Sequence, residues 1–89
     1  MRTAVISGGN GGLGRAMAAR LEAGGWHCVL MDVDIVRLED TETRAPVAVD
    51  LTDGQALARA ADRIIAARPS IDMVIYNADV SQICPFAVA

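Results

Sequence analysis

A glycine-rich stretch near the start of the chain has the residue types and spacing of an anion-binding turn. Residues 7 to 14 read SGGNGGLG and include five glycines. They follow the short apolar run TAVIS and precede a segment in which apolar residues recur every three or four positions. The first N–H groups of a helix are unpaired, and glycines without Cβ atoms would let a pyrophosphate approach them. The stretch therefore predicts a phosphate-binding turn between a strand and a helix.

An acidic residue follows this turn at the spacing typical of dinucleotide-binding folds. Asp32 ends the second apolar run, 18 positions after Gly14. In such folds an acidic residue about 20 positions on accepts hydrogen bonds from a ribose 2′-hydroxyl. Because this carboxylate would repel a 2′-phosphate, the pattern favours NAD over NADP. Arg15 is a candidate partner for that phosphate, but its place inside the helix predicts that it points to solvent. A glycine-rich turn without any ligand is the simpler alternative.

Alternating strands and helices are expected to hold these residues in place. The predicted strands are residues 3–7, 26–33, 45–50 and 71–76, and the first predicted helix runs from about residue 12 to residue 23. Its apolar face would consist of Leu13, Ala16, Met17 and Leu21. The polar stretch 34–44 predicts at most a short helical turn.

A second helix is predicted after residue 52. Thr52 and Gln55 have the spacing of a capping box, in which each side chain bonds the other residue's backbone N–H. The apolar stripe that follows, which ends before Pro69, contains Leu57, Ala61, Ile64 and Ile65. Together the elements predict one α/β domain over residues 1–89. Its doubly wound parallel sheet would be Rossmann-like, with strand order 3-2-1-4, ending after about four strands.

Composition excludes several classes of function. The net charge is −3, and the eight basic residues are scattered arginines, so no basic stripe for nucleic acid is present. No apolar run approaches the roughly 18 residues of a membrane span. Cys28 and Cys84 lack a C-x-x-C spacing and no secretory signal precedes them, which predicts a reducing, cytoplasmic setting. His27 has no partner at metal-ligand spacing, so no metal site is predicted.

Three motifs of this chain resemble the short-chain dehydrogenase/reductase family. The SGGNGGLG of residues 7–14 resembles its T-G-x-x-x-G-[IL]-G turn, with serine in place of threonine. The DLT of residues 50–52 resembles the D-[VL]-[TS] segment whose aspartate meets the adenine amino group, and the YNAD of residues 76–79 resembles N-N-A-G. The resemblance covers nearly the whole chain. The cofactor-binding residues that it implies, together with the spacing argument, are Gly8, Asn10, Gly12, Leu13, Gly14, Asp32, Asp50, Leu51, Asn77 and Ala78.

The resemblance implies hydride transfer between a nicotinamide cofactor and an alcohol or carbonyl. Members use a serine, a tyrosine and a lysine that come later in the sequence, whereas this chain has no lysine and no Y-x-x-x-K. Tyr76 is expected to pack at a strand end and Ser81 to be a loop hydroxyl, so no catalytic residue is assigned. Asp79 stands where the family has glycine. Either its charge weakens cofactor binding, or the loop tolerates it, and both interpretations stay open.

Three interpretations follow from these residues. The first is an NAD-binding module with binding machinery and no catalytic machinery. The second is a structural or interaction fragment that keeps the fold without the cofactor. The third is a part of a full enzyme, whose activity would belong to the longer protein. In the full fold a fifth strand would pair with strand 71–76, whereas in this chain that apolar edge would be open, which favours pairing with a second copy of the chain.

Overall fold

Four short parallel strands form one sheet, and a helix follows two of them. The computed structural model describes residues 1–68 and 70–77. The elements are β1 (Thr3–Ser7), α1 (Gly12–Ala23), β2 (His27–Asp32), β3 (Arg44–Ala48), α2 (Gly54–Ala67) and β4 (Met73–Tyr76). The strand order is β3-β2-β1-β4, and every strand pair is parallel. The predicted α/β class and the order 3-2-1-4 are confirmed.

The two central strands are buried because apolar groups cover both of their faces. All five residues of β1 and the first five of β2 are buried. Successive side chains of a strand point to opposite faces, so each strand contributes to two cores. One core includes Ala4, Ile6, Cys28, Leu30 and Ala18 of α1. The other includes Val5, Val29, Met31, and Ala60 and Ile64 of α2.

The buried face of α1 differs from the predicted one. Met17 and Leu21 pack against the core as expected, but the fully buried positions are Gly14 and Ala18. The prediction was wrong for Ala16, which is exposed, and for Leu13, whose side chain is 64% exposed. The physical reason is that the start of α1 lies very close to the glycine turn. A Cβ on Gly14 would lie 2.5 Å from the carbonyl oxygen of Gly8, so the helix start is too near the turn for a larger residue.

The start of α2 also differs from its prediction. The N-cap is Asp53, whose carboxylate accepts hydrogen bonds from the N–H groups of Gln55 (3.1 Å) and Ala56 (3.2 Å). The predicted capping box with Thr52 was wrong, because the Thr52 hydroxyl donates instead to Oδ1 of Asp50 at 2.6 Å. Of the predicted apolar stripe of α2, Ile64 is buried as expected, whereas Ile65 is half exposed.

The strand boundaries shift by one to two residues. β2 excludes Trp26 and Val33, β3 is residues 44–48 instead of 45–50, and β4 begins at residue 73. The fully described segment 34–43 contains no helix but a turn in which the N–H of Leu38 donates to the Ile35 oxygen at 3.0 Å. Leu38 is buried in the α1-side core. Within the part of the chain that the structure describes, no helix is long and apolar enough to span a membrane.

Candidate functional site

The carboxyl ends of three strands meet at one edge of the sheet. Ser7, the last residue of β1, is in register with Met31 on β2 and with Tyr76 on β4. The glycine turn leaves β1 here, and the N–H of Gly9 donates to the Met31 oxygen at 3.0 Å. In open α/β sheets this edge is where ligands bind. The topology therefore brings residues from both ends of the chain to one place.

Three glycines of the turn are required by the protein's own packing. Gly8 has a φ of +68°, and a Cβ there would collide with the carbonyl oxygen of Asn77. A Cβ on Gly9 would lie 2.5 Å from Cβ of Leu30, and the close approach at Gly14 was described above. These residues hold the turn tightly against β2, α1 and the end of β4. None of the three needs a ligand to explain it.

Gly12 is different, because none of the described residues has an atom within 4 Å of the place its Cβ would take. Gly12 is the first residue of α1, and the N-cap before it, Gly11, makes no side-chain capping bond within the described chain. The first turn also contains no acidic residue. Among the described residues, the N-terminal N–H groups of α1 thus have no side-chain cap and no first-turn carboxylate to neutralise the positive end of the helix dipole, which suits an anion.

Asp32 contacts the glycine turn directly. Its Oδ2 accepts a hydrogen bond from the Asn10 N–H at 3.0 Å, and its Oδ1 accepts from the Val33 N–H at 2.7 Å. Each carboxylate oxygen has a second lone pair, so ribose hydroxyls could still donate to it. Oδ1 of Asn10 is buried and has no hydrogen-bond partner within residues 1–68 and 70–77. A buried acceptor without a partner is costly, and a hydroxyl donor from a ligand would satisfy it.

A serine that sequence reasoning did not assign to the site links β1 to the end of β4. Ser7 is almost fully buried, and its Oγ accepts the N–H of Asn77 at 2.9 Å and donates to the Ile75 oxygen at 3.4 Å. The Asn77 side-chain amide donates to the Gly8 oxygen at 3.4 Å. Ser7 therefore positions the segment that follows β4 against the turn. Its signal in the sequence was a hydroxyl residue directly before the first glycine.

Asp50 and Leu51 lie beside Asp32 at the same edge. The N–H of Val49 donates to the Asp32 carbonyl oxygen at 2.9 Å, which sets the direction of the chain after β3. The Asp50 carboxylate is exposed and accepts the hydroxyl and the N–H of Thr52. These bonds, the hydroxyl foremost, hold the pKa of Asp50 below its ordinary value of 3.8. Asp50 is thus ionised at neutral pH and held in one orientation.

The structure brings most of the predicted site residues together. Gly8, Asn10 and Gly14 belong to the turn. Asp32 is joined to it through the N–H of Asn10, and Asn77 through the carbonyl oxygen of Gly8. Leu13 is exposed at the helix start, and Leu51 is half buried. Ala78, Asp79, Ser81 and Cys84 lie outside the described residues. No cluster of metal-ligating side chains occurs within the described chain.

Comparison with known proteins agrees with this geometry. Residues 2–89 match the family model described as short chain dehydrogenase. A curated relative, a 2-dehydro-3-deoxy-L-rhamnonate dehydrogenase (NAD(+)) from Sphingomonas sp. (strain SKA58), is 34% identical over 84 residues. The match covers 90% of this chain and 34% of the relative. The chain therefore spans about a third of that relative's length.

Two solved structures from Brucella melitensis have the same fold. A short-chain dehydrogenase/reductase described as a glucose/ribitol dehydrogenase is 30% identical with a TM-score of 0.76, and the match covers 97% of this chain and 39% of that one. A 3-ketoacyl-(acyl-carrier-protein) reductase complexed with NADH is 24% identical with a TM-score of 0.76, over 82% of this chain and 32% of that one. At this lower identity the likeness shows the fold alone.

The hydrogen bonds from Thr52 make the titration of Asp50 a test of the site's geometry. In Thr52→Val the hydroxyl is lost, and the pKa of Asp50 should rise toward 3.8. The carboxyl-carbon NMR shift of Asp50 measures this against pH. Because the folded-state pKa is lowered, the stabilisation is present above the unfolded pKa and is lost as pH falls through the folded pKa.

The stability difference between the parent and Thr52→Val should therefore shrink in acid. Thr43→Val removes a hydroxyl that does not contact Asp50 and is the matched control. An unchanged Asp50 titration in Thr52→Val would contradict the assigned hydrogen bond.

Proposed function

The chain belongs to the short chain dehydrogenase family, and on that basis we propose that residues 1–89 form one dinucleotide-binding domain that holds NAD at the carboxyl edge of its sheet. The observation that carries the proposal is the start of α1. Within the part of the chain that the structure describes, its N-terminal N–H groups have no side-chain cap and the Cβ position of Gly12 is open. By contrast α2, whose N-terminus is capped by Asp53, has no such place for an anion.

The proposed contacts follow the order of groups along a dinucleotide. The pyrophosphate would lie against the N–H groups of the segment Gly12–Leu13–Gly14, where no Cβ blocks it. The adenosine ribose would donate hydroxyl groups to Asp32, with Oδ1 of Asn10 as a further acceptor. Asp50 and Leu51 would contact the adenine. Gly8, Asn77 and Ala78 would line the path from the phosphates toward the nicotinamide.

Preference for NAD over NADP rests on the charge of Asp32. A carboxylate accepts hydrogen bonds from a free 2′-hydroxyl and repels a 2′-phosphate at the same point. The name of the curated relative carries NAD(+), which supports the same choice. For the whole protein we propose the hydride transfer that the family performs between the nicotinamide and an alcohol or carbonyl. The 89 residues contain no lysine for a proton relay, so their proposed part is to bind and orient the cofactor.

The alternative of a structural or interaction fragment without cofactor is not favoured. It leaves the uncapped start of α1, the open Cβ position of Gly12 and the buried Oδ1 of Asn10 without a purpose. A cytoplasmic location is part of the proposal, because the buried Cys28 is a free thiol, as cysteines are in a reducing compartment.

Two glycines with the same surroundings but different places in the fold test the pyrophosphate site. Gly12 and Gly54 are each the first residue of a helix, and a Cβ on either meets no atom of residues 1–68 or 70–77 within 4 Å. Alanine at either position should leave the free energy of unfolding unchanged or raise it by up to about 1 kcal/mol. Only Gly12→Ala should weaken NAD binding, by about tenfold or more, because its methyl group would occupy the path of the pyrophosphate.

Isothermal titration calorimetry with NAD measures the affinity, and thermal unfolding measures the stability. Equal NAD affinity in the parent and in Gly12→Ala would overturn the placement of the pyrophosphate.

Replacement of the Asp32 charge tests cofactor choice. Asp32→Asn keeps a hydrogen-bonding side chain beside Asn10 but removes the repulsion of a 2′-phosphate. The ratio of NAD affinity to NADP affinity should fall by about fivefold, since like charges about 4 Å apart in water cost about 1 kcal/mol. Asp34→Asn, which changes an exposed carboxylate two residues away, should leave the ratio unchanged. An unaltered ratio of NAD affinity to NADP affinity in Asp32→Asn would contradict the proposed preference.

A second copy of the chain is proposed as a partner through β4. Within the described sheet β4 pairs only with β1, and its side chains Val74 and Tyr76 are 69% and 43% exposed. Exposed apolar edges pair readily with other strands, and lysine opposes such pairing. Val74→Lys should therefore lower the average mass seen by light scattering at high concentration. Val36→Lys, which alters an exposed valine away from the sheet, is the control. A parent chain that is monomeric throughout the concentration series would refute the partner.

A further inference from the structure

A groove lies between α2 and the outer strands β2 and β3, on the face of the sheet opposite α1. Its volume is about 330 Å³, at the lower end of the range for small-molecule sites. The floor is apolar and consists of Val29, Ala45, Val47 and Ile64. None of the residues assigned above to the cofactor lines it. The groove is thus a separate place from the sheet edge.

The groove is open because α2 lies farther from the sheet than α1 does. α1 meets the sheet through Gly14 and Ala18, which allow close approach, whereas α2 meets it through the larger Ile64. Beside Ile64, the small residues Ala45 on β3 and Ala67 on α2 leave the space between helix and strand unfilled. An apolar molecule that entered this space would therefore cover side chains that now face water.

Two arginines at the groove carry charges that the described chain does not balance. Arg63 is exposed on α2 and makes no hydrogen bond or ion pair with any residue that the structure describes. Arg68 donates its Nε–H to the Thr3 hydroxyl at 3.1 Å, while its Nη groups have no partner within residues 1–68 and 70–77. No carboxylate of those residues lines the groove. The lining thus has a positive balance in a chain of net charge −3.

A buried imidazole adds a third basic group to the lining. His27 is 7% exposed, and its Nδ1 lies 3.1 Å from the Glu42 carbonyl oxygen. A carbonyl oxygen only accepts, so Nδ1 carries the hydrogen, and Nε2 accepts in the neutral ring and donates in the protonated ring. Nε2 has no hydrogen-bond partner among the described residues. Buried polar groups are rarely left unpaired, so this nitrogen points to a ligand with a polar end.

We propose that this groove binds a small apolar carboxylate, with its hydrocarbon part on the floor and its charged end between Arg63 and Arg68. Guanidinium donors match carboxylate oxygens, and each CH₂ group that leaves water adds up to about fourfold in affinity. The protonated ring of His27 would donate from Nε2 to the same carboxylate. The last carbonyl groups of α2 carry partial negative charge, which limits the affinity for an anion. Binding here does not depend on NAD at the sheet edge.

Hexanoate is the probe that tests this site. Titration into the ¹⁵N-labelled chain at constant ionic strength should give saturable NMR shifts at the backbone amides of Val29, Ala45 and Ala67. Butyrate, which is two CH₂ groups shorter, should bind about four- to tenfold more weakly. 1-Hexanol has the same hydrocarbon part without the charge, and it should bind about two- to fivefold more weakly than hexanoate, the range for exposed ion pairs.

Two variants separate the charge of the groove from its space. Arg63→Gln should weaken hexanoate binding by about two- to fivefold and leave 1-hexanol binding unchanged. Arg59→Gln, which changes an exposed arginine of α2 outside the groove, is its matched control. Ala67→Leu should weaken both ligands by about tenfold or more, because the added side chain occupies the groove. Ala66→Leu, which enlarges an exposed alanine outside the lining, is the control for that change.

The comparison of the two ligands distinguishes binding from a structural role of Arg63, since loss of structure would weaken hexanoate and 1-hexanol alike. Absence of saturable shifts up to about 20 mM hexanoate would overturn the proposal. Equal affinities for hexanoate and 1-hexanol in the parent chain would also overturn it, as would unchanged hexanoate affinity in Ala67→Leu. NAD affinity should be the same in all four variants and reports separately on the sheet-edge site.

Discussion

The closeness of Gly8 to the end of β4 is the constraint on which the rest of the site depends. The Asn77 carbonyl oxygen stands where a Cβ of residue 8 would be, so only glycine permits the turn to pass there. Ser7 and the Asn77 amide then bond the two segments from either side. With the turn held against β4, Gly14 can approach the Gly8 oxygen and α1 can begin directly over the sheet edge. A bulkier residue at any of these points would move the helix start away from the sheet.

The two helices of the domain differ in how the N–H groups at their N-termini are paired. Both begin with a glycine, and both have N–H groups that need an acceptor. In α2 the carboxylate of Asp53 supplies one, which completes the helix within the protein. In α1 no side chain of the described residues does so, although Asp32 is near enough to bond the turn at Asn10. The protein thus directs the Asp32 carboxylate to the backbone of the turn and not to the start of the helix.

The segment between β2 and β3 contributes to the core on the α1 side of the sheet. It covers the α1-side core with a turn anchored by Leu38. The ion pair between Glu22 and Arg44 links the end of α1 to the start of β3.

The alternation of apolar runs predicted the α/β class and the strand order from sequence alone, and the glycine spacing and the distance to Asp32 predicted residues that the fold places at one edge of the sheet. These features are local or periodic, and a parallel sheet leaves few ways to connect them. Tertiary structure alone decided which face of α1 is buried, because the turn lies so close to the helix start that only glycine fits at position 14, while the more apolar Leu13 is exposed. It also decided that Asp53 and not Thr52 caps α2, since the Thr52 hydroxyl is drawn to Asp50. The role of Ser7 and the pairing of Glu22 with Arg44 join residues far apart in the chain, and only the folded sheet brings such residues into contact.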